Sequence, residues 1–468
     1  MRISTNQYWV TKFGGTSVAT YAAITRCINL VTNHPNVRLI VVSAPAGVTN
    51  LLIKLCQSSL SQIELIPILD EVKTKIHAIL DLLKPDTAEH LHAEIRQLIK
   101  DMNRLALSLS ITYNAALADE LLSCGERISA RLFTSVLLEQ GVPADHLDAR
   151  CVIKTNASFG KAEVLIPETT QQVAKLLLPK CAQHMIVTEG FIGSTADDKT
   201  TTLGRGGSDY SAALLAEAIN AEILQIWTDV PGIYTVDPNL VKQAKVIKNL
   251  CFTEAAELAR FGAKVLHPAT VWPAIRKRIP IFVGSSFNPE AHGTWVCPTP
   301  PNHEEVELVR AIALRRHQSL LTIHSLEMLE AHGFLAKIFT LLAKHKLSID
   351  IVTTSEVSVA LTLNHAGNCR EELLTSEILN ELQTIGNISL SIDRNLSLVT
   401  LVGNQLHRTA GICQRIFNQL RHFNIRLICH GASAHNFCFL VDDDHADEII
   451  KVLHAEFFEN DHKLQESI

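Results

Sequence analysis

Short runs of Val, Ile and Leu alternate with helix-like segments through about the first 300 residues of this 468-residue chain. Near-continuous apolar runs are typical of strands covered on both faces, and strands that alternate with helices form mostly parallel sheets. The sequence therefore predicts an α/β fold with helices on both sides of one sheet. The predicted strands cover residues 8–13, 37–45, 184–193, 221–230 and 280–285.

A long helical stretch from about residue 64 to 140 interrupts this alternation. We expect it to pack as a sub-bundle on one face of the sheet. A Pro-rich segment at 297–307, CPTPPNHEEVE, then marks a domain boundary.

Beyond that boundary the chain repeats itself. Residues from Gly333 align with those from Gly411 without a gap, at an offset of 411 − 333 = 78 residues. Each copy reads strand, helix, strand and alternating strand, which favours a helix packed on a small antiparallel sheet. We expect three domains, at 1–300, 308–388 and 389–468. Matching positions include Ile338/Ile416, Phe339/Phe417 and Ser355/Ser433.

The composition excludes several classes of protein. With 47% hydrophobic and 19% charged residues, the chain is typical of a globular protein, and its net charge of −6 without a Lys/Arg run argues against nucleic-acid binding. No apolar run reaches the roughly 18 residues of a membrane span, and the first residues, MRISTNQYWVTKFGG, lack the apolar stretch that a signal peptide carries, so we expect the protein to stay where it is made. Eleven cysteines without a C-x-x-C pair favour reduced thiols in a cytoplasmic protein over disulfides or a metal site.

The stretch TTLGRGGSDY, residues 201–210, runs into an Ala/Leu-rich helix. Its glycines would let backbone N–H groups approach an anion, the helix start adds partial positive charge, and Arg205 offers a planar fork for a carboxylate or phosphate. An ordinary turn that caps the helix through Ser208 or Asp209 explains the same residues. Taken alone, the stretch does not decide between these alternatives.

Three further loops follow predicted strands: KFGGTS at 12–17, SAPAGVTN at 43–50 and WTDVPGIYTVDP at 227–238. Open α/β sheets bind ligands at the carboxyl ends of their strands, so polar glycine loops gathered there favour a phosphate-binding site. The first loop is not a Walker A motif, whose spacing is absent from the chain. The last carries hydroxyls, carboxylates and a tyrosine that could line a purine and ribose, or it is a simple Pro-Gly turn.

Together these motifs resemble those of the aspartokinases. KFGGTSV, GRGGSDYSAALLAEA, WTDVPGIYTVDP and FGAKVLHPAT carry the likeness, and SLEMLEAHGFLAKIF with SIDIVTTSEVSVALTL is similar to the lysine-sensitive monofunctional branch. The likeness covers nearly the whole chain. It implies an amino-acid kinase fold, a mostly parallel sheet between helices, followed by two small α+β ACT-like (βαββαβ) domains.

The resemblance implies transfer of a phosphoryl group from MgATP to the side-chain carboxylate of L-aspartate. The product is 4-phospho-L-aspartate, the first step of lysine, threonine and methionine biosynthesis. Lys12 would contact the transferred phosphate oxygens, and Asp209 would orient Lys12 and the Mg²⁺-bound phosphates. No base is needed, because the attacking carboxylate is already ionised, and no side chain is assigned as a dedicated metal ligand.

The resemblance also assigns the binding residues. One position departs from the family pattern, because Asn239 stands where many relatives carry a basic residue near the nucleotide. Taken by itself, a glutamate such as Glu126 is more often a solvated helix charge than a ligand-binding residue. The aspartate-binding residues would be Thr49, Glu126, Arg205, Gly206, Gly207 and Ser208; those for ATP would be Lys12, Phe13, Gly14, Gly15, Thr228, Asp229, Tyr234, Asn239, Lys264 and Val265.

L-Lysine is the expected effector, bound to the first repeat only. The second repeat has Ile428 and Ala434 at the positions of Asp350 and Glu356, so it lacks both carboxylates. Alternatively, Asp350 and Glu356 are merely solvated charges at strand ends. We expect a homodimer through residues from about 310 onward, which could pair again into a tetramer. The expected lysine-site residues are Met328, Gly333, Phe334, Leu335, Ser348, Ile349, Asp350, Ser355 and Glu356.

Three other functions remain as alternatives. The first is a kinase of the same fold that acts on glutamate, acetylglutamate or a nucleoside monophosphate. The second is a lysine sensor with an inactive kinase domain, against which the intact Lys12, Arg205 and Asp209 argue. The third, a dinucleotide dehydrogenase, lacks a G-x-G-x-x-G after its first strand.

Overall fold

A computed structural model of the protein describes residues 8–57, 60–262, 266–298, 307–329, 331–363 and 374–459. The chain forms two compact units. The first comprises Met1–Ile233, Val246–Ala259 and Lys264–His303, and the second comprises Tyr234–Lys245, Arg260–Ala263 and Glu304–Ile468. The boundaries 1–300, 308–388 and 389–468 stay a prediction. Among the described residues, no helix has both the length and the apolar character that crossing a bilayer requires.

The first unit is built on an eight-stranded sheet with the order β3-β4-β2-β1-β7-β9-β10-β8. All neighbouring strands are parallel except β9 and β10, and β5 and β6 form a separate hairpin. The strands are β1 (Trp9–Phe13), β2 (Val37–Val42), β3 (Ala144–His146), β4 (Met185–Glu189), β5 (Ile192–Ser194), β6 (Thr200–Thr202), β7 (Ile223–Thr228), β8 (Asn249–Cys251), β9 (Ile281–Ser285) and β10 (Thr294–Cys297).

The predicted strands at 8–13, 37–45, 221–230 and 280–285 are confirmed with shorter ends. The prediction of one strand over 184–193 is wrong, because Phe191 adopts a left-handed backbone conformation with φ of 70° and divides the segment into β4 and β5. The short strands β3, β8 and β10 were not predicted. They are only three or four residues long and carry too little periodicity to detect.

The predicted sub-bundle is also confirmed: α3, α4 and α5 contribute to one hydrophobic core with β1 and β2. The start of α5 is fixed by Asn114, whose side chain accepts a hydrogen bond of 3.1 Å from the Leu117 N–H. The helices of this region are α1 (Tyr21–Thr32), α2 (Val48–Leu55), α3 (Gln62–Leu80), α4 (Pro85–Ile111), α5 (Ala115–Glu139), α6 (Ile166–Gln172), α7 (Leu178–Cys181), α8 (Gly207–Ile219), α9 (Phe252–Phe261) and α10 (Pro268–Lys277).

The second unit contains both copies of the repeat in one six-stranded antiparallel sheet of order β12-β13-β11-β14-β16-β15. Its strands are β11 (Val309–His324), β12 (Ile349–Thr354), β13 (Ser358–Leu363), β14 (Ser389–Gly403), β15 (Ile425–His430) and β16 (Asn436–Asp442). Its helices are α11 (Phe334–Lys344), α12 (Ser376–Gln383), α13 (Ile412–Leu420) and α14 (Ala446–His454).

The two copies share their central strands. The C-terminal half of β11 pairs with β13, and Leu321 and Ile323 from that half lie in the core of the first copy. Val309 and Ile312, from the N-terminal half of the same strand, lie in the core of the second copy. The physical boundary between the copies therefore runs through β11 and β14, so neither copy has a complete core without the other.

Candidate active site

Lys12 and Asp209 form an ion pair at the carboxyl edge of the large sheet. The Lys12 ammonium lies 2.6 Å from a carboxylate oxygen of Asp209, and both side chains are largely buried. Lys12 comes from β1 and Asp209 from the first turn of α8. A charged pair withdrawn from water is costly to maintain, so its presence at a ligand-binding edge marks a functional cluster.

The loop after β1 is tied to the loops after the neighbouring strands. Gly14 donates a backbone hydrogen bond of 2.9 Å to the Trp227 carbonyl, and Ala46 donates one of 3.0 Å to the Gly15 carbonyl. A Cβ atom on Gly15 would lie 2.7 Å from the Ala44 carbonyl oxygen, so only glycine fits. The glycine loop is therefore held rigidly beside Lys12.

Glu126 lies on α5 with 3% of its surface exposed. One carboxylate oxygen accepts a hydrogen bond of 3.1 Å from the Ala44 N–H, while the other is buried without a hydrogen-bond partner in the described residues. Burial raises the pKa of Glu126 to about 8. A buried carboxylate with an open oxygen suits a ligand that brings a positive charge.

The same face of α5 carries a residue that sequence reasoning missed. Asp119, seven positions before Glu126, accepts hydrogen bonds from the Thr202 N–H at 2.7 Å and from the Thr202 hydroxyl at 2.9 Å. It also accepts one from the Gly160 N–H at 2.9 Å. Asp119 thereby holds the start of the 201–210 stretch in place. Its seven-residue spacing from Glu126 puts both side chains on one face of a helix, and this spacing was the sequence signal that could have identified it.

The end of that stretch is a helix start, as predicted, but the alternative in which Ser208 or Asp209 caps the helix is wrong. Gly206, not Ser208 or Asp209, is the N-cap of α8, with φ of 73°. A Cβ atom there would overlap the ring of His267, a second residue that sequence reasoning missed although its motif was noted. Burial lowers the pKa of His267. Arg205, just before the cap, is exposed and accessible to an anion.

The remaining aspartate-side positions belong to the first unit. Thr49 is half-buried in the first turn of α2, at the end of the loop that follows β2. Gly207 is buried and Ser208 half-buried at the start of α8. The first unit thus brings Lys12, Asp209, Glu126 and the α8 start to one edge.

The expected nucleotide residues divide between the two units. Thr228 and Asp229 end β7 in the first unit, with the Thr228 hydroxyl 3.1 Å from the Asp229 carboxylate. Tyr234 and Asn239 belong to the second. The Asn239 side chain donates to Asp237 at 2.9 Å, which closes a local turn. Lys264 and Val265 lie outside the described residues.

In the second unit, Asp350 is not a solvated charge. It forms an ion pair with Arg315 of β11, and Arg315 also donates to the Arg260 carbonyl. Arg315 is a third residue that sequence reasoning missed. Glu356, by contrast, is exposed in the turn between β12 and β13.

The other expected effector residues lie in α11 and β12 or next to their ends. Gly333 is the N-cap of α11 with φ of 81°, and no side chain caps this helix. Phe334 is buried, Leu335 and Met328 pack against the core of the first copy, and Ile349 begins β12. Ser348 and Ser355 are exposed at the two ends of β12.

Comparison with known proteins shows which family and which proteins the chain is similar to. The profile of the Amino acid kinase family matches residues 7–285, and an ACT domain profile matches residues 399–457. Lysine-sensitive aspartokinase 3 of Escherichia coli (strain K12) is 48% identical over 96% of this chain and 99% of its own length.

Two solved structures of E. coli aspartokinase III are similar to the chain. The R-state complex with aspartate and ADP is 47% identical, with a TM-score of 0.90, over 96% of this chain and 100% of that one. The T-state complex with lysine and aspartate is 48% identical, with a TM-score of 0.78, over 97% of this chain and 100% of that one.

Proposed function

The chain belongs to the aspartokinases of the amino acid kinase family, and on that premise we propose that it phosphorylates the side-chain carboxylate of L-aspartate with ATP. The products are 4-phospho-L-aspartate and ADP. The buried Lys12–Asp209 pair beside a rigid glycine loop is the observation that carries this proposal. Phosphoryl transfer requires positive charge and aligned N–H donors around the transferred oxygens, and this edge of the sheet supplies both.

In the reaction, an aspartate carboxylate oxygen forms a bond to the γ-phosphorus while the bond from that phosphorus to the ADP oxygen breaks. Lys12 stabilises the negative charge that spreads over the transferred oxygens. Asp209 holds the Lys12 ammonium in place through the 2.6 Å ion pair. Gly14 and Gly15 allow the phosphates to approach the backbone closely.

The opposite end of the substrate is recognised by charge. Arg205, with Ser208 and Thr49, binds the α-carboxylate, because a guanidinium fork matches a carboxylate geometrically. Glu126 receives the α-ammonium at its open oxygen. Binding a cation there removes the cost of an unpaired buried carboxylate, which explains a preference for amino acids.

Magnesium enters with the nucleotide. Among the described residues, no cluster of three or more His, Cys, Asp or Glu side chains could hold a metal ion by itself. Mg²⁺ is commonly held by one or two carboxylates together with substrate phosphates, and Asp209 at the α8 start fits that role. When bound, the ion would neutralise phosphate charge.

Lysine inhibits the enzyme by binding the first copy of the repeat. Asp350 and Glu356 supply two carboxylates for a ligand with two ammonium groups, and the N-terminus of α11 supplies N–H groups for its carboxylate. Inhibition requires that lysine bind one conformational state better than another.

The homodimer is expected to form through the second unit. β12 and β15 are the edge strands of its sheet, and Val352 and Ile428 on them are 39% and 43% exposed. Exposed apolar edges are commonly covered by pairing. Light scattering on the full chain carrying Val352→Lys or Ile428→Lys tests each edge, and a dimer that survives both substitutions places the interface elsewhere.

A hydroxamate trap for aspartyl phosphate tests the proposed activity. With MgATP and hydroxylamine, the purified chain should form hydroxamate from L-aspartate and not from glutamate or acetylglutamate. A nucleoside monophosphate gives no acyl phosphate, so that alternative is tested by ADP release from ATP, which should not increase when a nucleoside monophosphate is added. Lysine binding measured by calorimetry without hydroxamate formation would favour the alternative of an inactive sensor.

A further inference from the structure

The segment Tyr234–Lys245 follows the first unit in sequence but folds with the second. Val236 and Val241 are buried in the same core as Leu453 and Phe457 near the C-terminus. The two ends of the segment are joined, since the Thr235 N–H donates to the Lys245 carbonyl at 2.9 Å. The segment is therefore a closed loop anchored to the C-terminal part of the chain.

His454, the last residue of α14, connects that loop to the helix and is fully buried. Its Nε2 lies 3.1 Å from the Thr235 hydroxyl, and its Nδ1 lies 2.8 Å from a Glu459 carboxylate oxygen. The Thr235 oxygen already accepts from the Lys245 N–H at 3.1 Å. The tautomer that donates from Nδ1 to Glu459 accepts the Thr235 hydroxyl proton at Nε2, so both ring nitrogens have a partner.

A second hydrogen bond closes the same contact. The Lys245 ammonium donates to the Phe458 carbonyl at 2.8 Å, and the Phe458 ring lies 4.9 Å from the His454 ring. Both ends of the loop are thus held by residues of α14 and the turn after it. Thr235 and His454 are buried, so breaking the contact between them leaves buried polar atoms without that partner.

Tyr234 lies between two anchored neighbours. On one side, the Ile233 N–H donates to the Thr294 hydroxyl at 2.9 Å within the first unit. On the other side, Thr235 is held by His454, and its carbonyl accepts a hydrogen bond of 2.7 Å from the Ile312 N–H. The residue on each side of Tyr234 is therefore anchored within its own unit.

We infer that His454 is a positioning residue for the nucleotide, acting through Thr235 on the loop that carries Tyr234 and Asn239. This inference rests on the proposed function, in which Tyr234 and Asn239 contact ATP. His454 touches neither substrate. It determines where the nucleotide-contacting loop lies, so nucleotide affinity depends on the C-terminal helix of the regulatory region.

Two substitutions of the same side chain separate positioning from simple stability. The amide of Gln reaches the place of the imidazole Nε2, so His454→Gln keeps the contact with Thr235 and loses the one with Glu459. The shorter amide of Asn reaches the place of Nδ1, so His454→Asn does the reverse. Each removes one hydrogen bond, and the loss of one buried hydrogen bond corresponds to roughly tenfold in an equilibrium constant.

The measurements are the dissociation constant for MgADP by calorimetry, the KM values for ATP and aspartate, and the thermal unfolding midpoint. We expect His454→Asn to weaken MgADP binding and raise the KM for ATP about tenfold, with the KM for aspartate within twofold of wild type. His454→Gln should retain nucleotide affinity although it lowers the unfolding midpoint comparably. Equal nucleotide affinity in the two variants would overturn the inference.

Thr235→Val provides an independent route to the same contact without altering α14. It should weaken MgADP binding at least as much as His454→Asn, because it also removes the acceptor of the Lys245 N–H. The double variant should be no weaker than Thr235→Val alone. The matched control is Glu456→Ala on the same C-terminal turn, which removes contacts to Arg415 and Gln419 of α13 instead. If Glu456→Ala weakened MgADP binding as much as His454→Asn does, the role of His454 would be to stabilise the fold and not to position the nucleotide loop.

Tyr234→Ala distinguishes failure of this inference from failure of the proposed function. If Tyr234→Ala leaves MgADP affinity unchanged, the nucleotide role of the loop is wrong. If Tyr234→Ala weakens binding while His454→Asn and Thr235→Val do not, the nucleotide role stands and positioning by His454 is wrong.

Discussion

Glu126 of the first unit and Asp350 of the first repeat differ in how their carboxylates are partnered in the free protein. In the first unit, Glu126 is buried with one oxygen open, and Asp209 holds the lysine expected to act on phosphate. In the first repeat, Asp350 is already paired with Arg315 of its own chain. On the proposed assignment, the catalytic site is prepared before its ligand arrives, whereas lysine would have to replace Arg315 as the partner of Asp350.

This contrast has a physical consequence. A site that is already arranged for its ligand needs little reorganisation on binding. More of the binding free energy can therefore stabilise the transition state. An effector site whose carboxylate is paired must break that pair, so ligand binding is coupled to a local rearrangement. Since Arg315 also donates to the Arg260 carbonyl at the end of α9, that rearrangement extends beyond the effector residues.

The largest expected effect concerns the prepared site. Lys12→Met and Asp209→Asn should each lower kcat by about 10²-fold or more, since charge on the transferred phosphoryl group contributes several kcal/mol to the transition state. Steady-state kinetics with the hydroxamate assay measures this, with Lys54→Met on the exposed face of α2 as control. Activity within a few-fold of wild type would remove both residues from the mechanism.

The next prediction tests whether Glu126 binds the α-ammonium group of aspartate. Because burial raises its pKa to about 8, Glu126 is mostly protonated in the free protein at pH 6 and ionises as the pH rises. The KM for aspartate should therefore fall between pH 6 and pH 8 and then level off. Glu126→Gln should raise this KM roughly tenfold or more and abolish its fall.

Stability should respond to pH in the opposite sense. Since the folded-state pKa of Glu126 is raised from 4.5, its contribution to stability is present below pH 4.5 and is lost as the pH rises towards 8. Glu126→Gln should consequently raise the unfolding midpoint of the ligand-free protein at pH 9.

The KM prediction for Glu126 has its own contradicting outcome. An aspartate KM that is independent of pH in the wild-type protein would show that Glu126 does not receive the ammonium.

A smaller effect separates the two copies of the repeat. Asp350→Asn should raise the lysine concentration for half-inhibition about tenfold and leave uninhibited kcat within twofold, because it removes a proposed lysine ligand that takes no part in phosphoryl transfer. The matched control is Asp444→Asn in the second copy, where Asp444 is exposed. Unchanged lysine sensitivity of the Asp350 variant, or sensitivity to threonine instead, would contradict this assignment.

The smallest expected effect concerns Arg315 itself. Arg315→Met should lower the lysine dissociation constant a few-fold, because the internal competitor for Asp350 is gone, while the maximal inhibition decreases because the link to Arg260 is lost. Calorimetry gives the first quantity and inhibition curves give the second. Weaker lysine binding in this variant would mean that Arg315 supports the effector site and does not compete for it.

The sequence by itself determined the architecture and most of the candidate site. Nearly continuous apolar runs such as Val37–Val42 favour a sheet covered on both faces, and the 78-residue repeat predicts two copies of one strand-and-helix pattern. The glycine loops could be assigned to one edge because parallel strands end on the same side. These features are local or periodic, so they can be detected along the chain without knowledge of distant contacts.

Only the tertiary structure decided which charges have partners. Glu126 and Asp350 read alike in the sequence, yet one is buried with an open oxygen and the other is paired with an arginine 35 positions earlier. The His454–Thr235 contact joins residues 219 positions apart, and the exchange of strands between the repeats depends on pairing along the whole of β11 and β14. Burial and pairing are set by packing between distant segments, and no local pattern records them.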